Sequence, residues 1–187
     1  MGFEQTTKPD IDYTVAWIKQ LHAGQTDHAG KPYANHPQRV AHNVRRVFPD
    51  CSDDVVMAAL LHDVIEDCGI TATDLKQKNY SPACIEIVSL VSKDLLDERD
   101  YQDVIDDLIA SGNREAMMVK IADNMDNLHP RRVQELFQLD SKKAARFDQR
   151  YRQSIEKLCN AIGINKDRVF EIINKATSLE SYDAVLK

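Results

Sequence analysis

The sequence predicts an all-α protein built as a single domain. Three observations carry this. Apolar residues recur at helical spacing along nearly the whole chain, the breaks between these stripes hold helix caps and stops, and 187 residues is the size of one ordinary domain. One short stretch, Ile85-Ile87-Ser89-Val91, also alternates in the manner of a strand. No linker, repeat or low-complexity tract divides the chain, so a single domain over 1–187 is expected, with C-terminal helices over about 141–187.

Taken in order, Asp10 can cap a first helix whose stripe is Ile11, Val15, Ile18 and Leu21, closed by Gly24. Gly24 to Asn35 holds Gly24, Gly30, Pro32 and Asn35 and reads as an ordered loop. A second helix starts near His36-Pro37, shows Val40, Val44 and Val47, and stops at Pro49. A third, capped by Ser52 or Asp53, runs through Val55 to Ile65 and on to Gly69; apolar nearly all round, it should be the buried central helix. Thr71-Ala-Thr-Asp74 has the form of a capping box and opens a short helix, and Ser81-Pro82 opens another. Tyr101, Val104, Ile105, Leu108 and Ile109 form the next stripe, ended by Gly112. Asn113 can cap a helix through Met117, Ile121, Met125 and Leu128, stopped by Pro130. Ser141 to Ile162 is long and amphipathic, Gly163 ends it, and a last helix follows from about Asn165.

Composition narrows the function. Net charge is -6 with no long basic block, which argues against nucleic-acid binding through phosphate neutralisation. Mean hydropathy is -0.45, and no apolar run approaches the roughly 20 residues that span a bilayer. The first twelve residues are polar, without a signal-peptide pattern, so the cytoplasm is the expected compartment and no membrane partner is expected. Cys51, Cys68, Cys84 and Cys159 form no CxxC pair and read as free thiols.

The chemistry concentrates in Leu61-His-Asp-Val-Ile-Glu-Asp67, at the end of the most apolar segment. Four ionisable residues in a buried stretch are costly unless they are paired or bind a metal. His62 and Glu66 are four apart, as are Asp63 and Asp67, so both pairs project from neighbouring parts of one helix surface. A second set, Lys120, Asp123 and Asn127, recurs along one stripe; by itself it reads equally well as a solvated face. His36 follows the glycine-containing loop. Two histidines and two aspartates make a mixed nitrogen and oxygen set, suited to a first-row divalent ion such as Mn²⁺ or Fe²⁺, and the absence of thiolates argues against a closed structural zinc site. A small anionic ligand fits such a site despite the acidic net charge, because a metal reverses the local field.

Three motifs carry a family resemblance: Gly30-x-Pro-Tyr-x-x-His-Pro37, Ala58-x-Leu-Leu-His-Asp-Val-x-Glu-Asp67 and Val119-Lys-x-Ala-Asp-x-x-x-Asn-Leu128. Together they resemble the HD-domain metal-dependent phosphohydrolases, and within them the standalone RelA/SpoT-type alarmone hydrolases, over about residues 10–160. The resemblance implies a helical HD-domain fold and a divalent metal, usually Mn²⁺, on His36, His62, Asp63 and Asp123. It implies that Glu66 and Asp67 assist attack by a metal-activated water. It further implies that Asn127, with Lys120 beside it, contacts a nucleotide, and that the reaction removes the 3′-pyrophosphate of guanosine tetra- or pentaphosphate.

One position departs from the pattern. The family usually has a basic residue where this chain has Asp27, and an aspartate offers no cationic face for a guanine. His28 is the expected substitute for stacking, and Lys31 or Arg39 for phosphate charge. The leading expectation is a nucleotide pyrophosphohydrolase; a phosphohydrolase of another nucleotide or phosphate ester comes second, and a non-catalytic nucleotide-binding sensor module, which would not need every ligand and both acids, comes last.

Overall fold

The computed structural model describes residues 8–27, 30–92 and 100–176. Among these there are eleven α-helices and no strand, apart from one isolated bridge between Thr26 and Pro32. The order is α1 (Ile11–Leu21), α2 (Asn35–Val47), α3 (Asp53–Leu61), α4 (Val64–Cys68), α5 (Ala72–Gln77), α6 (Pro82–Val91), α7 (Tyr101–Ala110), α8 (Arg114–Asn127), α9 (Pro130–Leu139), α10 (Ser141–Ile162) and α11 (Lys166–Lys175).

The caps act where their chemistry suggests. Asp10 accepts from the Tyr13 amide and Asn113 from the Ala116 amide, and Thr71 with Asp74 forms a full capping box. Gly163 ends α10 in the left-handed region at φ 70, where a side chain would be strained, and the Ile164 amide turns back to the Cys159 carbonyl. The stretch from Ile85 to Val91 is helical: Ser81 caps it, Pro82 starts it, and Cys84, Ile87, Val88 and Val91 fall on the buried side at helix spacing.

α3 is the core. Val55 to Leu61 are all buried, and α3 packs against α1, α2, α6 and α8. α8 lies across it and also packs on α2 and α10. A buried polar chain ties α7, α8 and α10 together: the Tyr101 hydroxyl donates to Asn124 Oδ1 (2.8 Å) and the Asn124 amide donates to Ser154 Oγ (2.7 Å). Among the described residues no helix is long and apolar enough to cross a membrane, and Cys51, Cys68, Cys84 and Cys159 are free.

Two sequence expectations change. The segment from Asp53 to Gly69 is not one helix: it breaks at His62-Asp63 into α3 and α4. Apolar periodicity continues through the break because both halves face the same core, so the pattern does not reveal it. Pro130 stops α8 but also opens α9, with His129 as its cap, in a stretch the sequence left unassigned. α9 has no fully buried residue and carries the exposed Phe137 and Leu139, so its apolar stripe never announces a core helix.

Candidate metal centre and active site

The break in the third helix builds the site. In an unbroken helix neighbouring side chains project about 100° apart. Here His62 (φ -58, ψ -28) ends α3 and Asp63 (φ -101, ψ -4) precedes α4, and the resulting turn brings His62 Nε2 within 3.0 Å of Asp63 Oδ2. His36 enters from the first turn of α2 and Asp123 from the middle of α8. His36 Nε2 lies 3.5 Å from Asp63 Oδ2 and 3.4 Å from Asp123 Oδ1, and His62 Nε2 is 3.8 Å from Asp123 Oδ1. The ligand-type atoms of His36, His62 and Asp123 all fall within 4.8 Å of one another.

Each imidazole is oriented by its other nitrogen. His36 Nδ1 is 2.7 Å from Asp126 Oδ2, and His62 Nδ1 is 2.8 Å from the Ala59 carbonyl. The Asp126 carboxylate and the Ala59 carbonyl only accept, and as the shortest contacts of the two rings they place the N–H on Nδ1 and leave the Nε2 lone pair facing the carboxylates; Arg132 Nη1 lies farther from His36 Nδ1, at 3.0 Å. The buried Nε2 of His62 has no hydrogen-bond partner. Two lone pairs and two carboxylates around one point fit a divalent cation. Electrostatics agree: burial lowers the affinity of His62 for a proton, but Asp63 and Asp123 outweigh it and raise its pKa to about 9. The cluster therefore draws in positive charge, which a metal ion supplies more fully than a proton.

Around this centre lies a cleft of about 290 Å³, open to solvent, and Glu66, Lys120, Asn127, Tyr33, Tyr101 and Arg132 are among its walls. Lys120 Nζ sits 3.0 Å from Asp123 Oδ2, and the Asn127 amide donates to Asp123 Oδ1 at 2.7 Å. The stripe Lys120-Asp123-Asn127 thus faces the cleft, and it orients the aspartate. Burial pushes the Asp123 carboxyl up, but Lys120 and the histidines hold it well below the usual range. Glu66 is a half-buried wall residue, whereas Asp67 is exposed at the edge beside Tyr33, with its pKa raised by burial and by Asp63.

The substrate side divides differently from expectation. Lys31 lines an adjoining cavity with Arg39 and His129 and is not in the wall of the metal cleft. Arg39 is buried against Asp126, so its charge is not offered to a ligand. His28 lies outside the described residues. Asp27 does line the cleft, and its carboxylate accepts the Lys31 amide at 3.0 Å, so it shapes the loop between α1 and α2.

Sequence reasoning missed three residues, Tyr33, Asp126 and Arg132, and gave Arg39 a phosphate role instead of its bond to Asp126. The Tyr33 hydroxyl donates to Asp63 Oδ2 at 2.7 Å; burial and the nearby carboxylates push its pKa far upward, so it stays a donor. Asp126, fully buried, accepts from Arg39 Nε (2.9 Å) and Nη2 (3.1 Å), from Arg132 Nη1 (2.5 Å) and from His36 Nδ1. A signal existed. Arg39 is three residues after His36, and Asp126 three after Asp123, so each shares a helix face with a candidate ligand.

Comparison with known proteins follows this geometry. A family profile described as HD domain matches residues 14–150. The chain belongs to the HD-domain family. This HD-domain chain is 39% identical over 105 residues to the guanosine-3′,5′-bis(diphosphate) 3′-pyrophosphohydrolase of Vibrio cholerae, covering 54% of this chain but 14% of that protein. It is 31% identical over 141 residues to the guanosine-3′,5′-bis(diphosphate) 3′-pyrophosphohydrolase MESH1 of Danio rerio, covering 67% of this chain and 77% of that one. The chain therefore spans about a seventh of the Vibrio relative. In fold, it matches the solved structure of a metazoan ortholog of SpoT that hydrolyses ppGpp, with a TM-score of 0.66 and 23% identity, over 88% of this chain and 97% of that one.

Proposed function

We propose that this HD domain is a Mn²⁺-dependent phosphohydrolase that converts guanosine tetraphosphate to GDP and pyrophosphate. The observation that carries the reading is the convergence of two oriented histidine lone pairs with Asp63 and Asp123, in a cleft that also holds Lys120 and Glu66. The names of the bacterial and zebrafish relatives point to the same substrate. In this reading a single domain works on a small anionic substrate in the cytoplasm.

His36, His62, Asp63 and Asp123 would hold the metal. When bound, a divalent ion of this kind lowers the pKa of a water and polarises a phosphoryl oxygen. Asp126 and the Ala59 carbonyl keep both imidazoles aimed, and Tyr33 and Asn127 do the same for the carboxylates. Lys120 adds positive charge at the cleft wall. Glu66 accepts the proton of the attacking water, and Asp67, whose raised pKa suits proton exchange with solvent, carries protons away at the edge.

Replacing Glu66 by Gln should cut turnover by roughly 10²–10⁴-fold, the usual range for a positioned base, with metal affinity and melting temperature unchanged. The exposed Asp67→Asn should act in the same direction but more weakly. Wild-type turnover in a metal-loaded double variant would make the pair structural.

Asp27 favours the second reading, a different nucleotide substrate, because it puts negative charge where a cation would face the base. Loss of a stacking cation weakens binding by about 0.5–2 kcal/mol. Guanosine tetraphosphate should therefore still be cleaved, with a KM raised by roughly 2- to 30-fold. The deciding measurement is phosphate or pyrophosphate release from a panel of nucleotides at equal concentration with Mn²⁺. Cleavage of another phosphate ester at least a hundredfold more efficiently would replace the alarmone by that compound.

A further inference from the structure

Beyond the residues that orient the metal cluster, the cleft contains, among the described residues, one cation whose place the family motifs do not specify. Arg132 stands on α9, near the N-terminal end of a helix that the sequence did not reveal. Its Nη1 bonds to Asp126 Oδ2 at 2.5 Å and lies 3.0 Å from His36 Nδ1, and its side chain remains 22% exposed. It lines the metal cleft and also the two smaller cavities that adjoin it.

Charge counting around Asp126 gives the argument. One buried carboxylate faces two guanidiniums, Arg39 and Arg132, while the His36 imidazole that also bonds it is a neutral donor in the metal-holding tautomer. Arg39, 4% exposed and bidentate on Asp126, already neutralises that carboxylate. The charge of Arg132 is therefore surplus, and it borders the cleft. Lys120, the other cation of the wall among the described residues, is held 3.0 Å from Asp123, so most of its charge balances a ligand carboxylate. A guanidinium anchored by one nitrogen keeps further N–H donors in a planar fork, a shape that matches phosphate oxygens.

We infer that Arg132 is a substrate-binding residue that grips the phosphate oxygens of the departing pyrophosphate, held at the cleft wall by Asp126. This rests on the phosphohydrolase reading of the cleft but not on guanine as the base. It assigns to α9 the role of carrying the anion contact that Lys31 and Arg39 were expected to make. The anchoring is what makes the contact effective, since an arginine already fixed by a buried carboxylate loses less freedom when the anion arrives.

The test uses inorganic pyrophosphate as the probe, titrated into the Mn²⁺-loaded full chain by calorimetry. Arg132→Gln should weaken pyrophosphate binding by roughly 10–100-fold, the equivalent of one charged hydrogen-bonding contact. Arg132→Lys should restore part of it, and Mn²⁺ affinity measured separately should stay within about threefold. With any phosphate substrate that the wild type cleaves, KM should rise more than kcat falls. Unchanged pyrophosphate affinity in Arg132→Gln would overturn the assignment. So would a loss matched by an equal loss of Mn²⁺ affinity, which would mean that Arg132 acts only through His36. If guanosine tetraphosphate is not a substrate but Arg132→Gln still weakens pyrophosphate binding, the proposed substrate fails and this assignment stands.

Discussion

His62→Leu should abolish metal-dependent turnover and also lower the melting temperature of the metal-free protein, in which the imidazole faces Asp63 and Asp123. Two effects set this. The lost ligand removes a cation worth several kcal/mol of transition-state stabilisation; about 4 kcal/mol is already 10³ in rate. The same change removes a buried imidazole whose Nε2 lies 3.0 Å from Asp63 Oδ2 and 3.8 Å from Asp123 Oδ1, and taking the partner from a buried charged acceptor costs about 1–3 kcal/mol. Loss of the Nδ1 bond to the Ala59 carbonyl, worth about 1 kcal/mol, adds to this. The leucine fills similar space in a core already lined by Leu61 and Val64. Melting temperatures in a chelating buffer, with calorimetric Mn²⁺ titration and turnover, read the two effects separately. A large drop in melting temperature with Mn²⁺ binding intact would show His62 to be a packing residue.

Asp126→Ala should produce the largest loss of stability of any single substitution at the site. Removing one partner of a buried ion pair typically costs about 3–5 kcal/mol, because the other charge is stranded. Here Arg39 is 4% exposed and has its guanidinium on Asp126. For a chain of this length the loss corresponds to a fall in melting temperature of roughly 6–20 °C. Adding Arg39→Met to Asp126→Ala should recover part of it, since the penalty belongs to the stranded charge. If the double variant is no more stable than the single one, the stranded charge is not the cause.

The pH dependence has a definite sign. Burial raises the Asp126 pKa, but Arg132, His36 and Arg39 lower it far below the usual carboxylate value. A carboxylate depressed on folding contributes stability that is present above its unfolded pKa, about 3.9, and is lost as pH falls toward the folded value. Wild-type stability should therefore decline below about pH 4, and the decline should be shallower in Asp126→Ala. The variant should also bind Mn²⁺ more weakly, by about 10–100-fold, because His36 loses the acceptor that aims it.

The sequence by itself determined the helical class, most helix ends and the chemical character of the site. Caps and stops act through bonds to nearby amides, so Asp10, Thr71-Asp74, Asn113 and Gly163 could be read without knowing the fold. The ligand-type residues were legible because ionisable side chains in apolar segments are expensive, and His62-Asp63 and Asp123 stand out for that reason. Their roles as metal ligands remain proposals that the substitutions above test. Tertiary structure alone decided the rest. The turn at His62-Asp63 is invisible to periodicity because the helices on both sides of it bury against the same core. The partners of Asp126 come from α2 and α9, 87 residues away at Arg39 and 6 at Arg132, and no local rule couples them. Whether a lysine or arginine faces the cleft likewise depends on packing: Lys31 is turned to a neighbouring cavity, Arg39 is consumed by a buried carboxylate, and Arg132 reaches the cleft only because α9 packs on α10. Charge type is written in the chain, but its availability is set by what the fold places within hydrogen-bond reach.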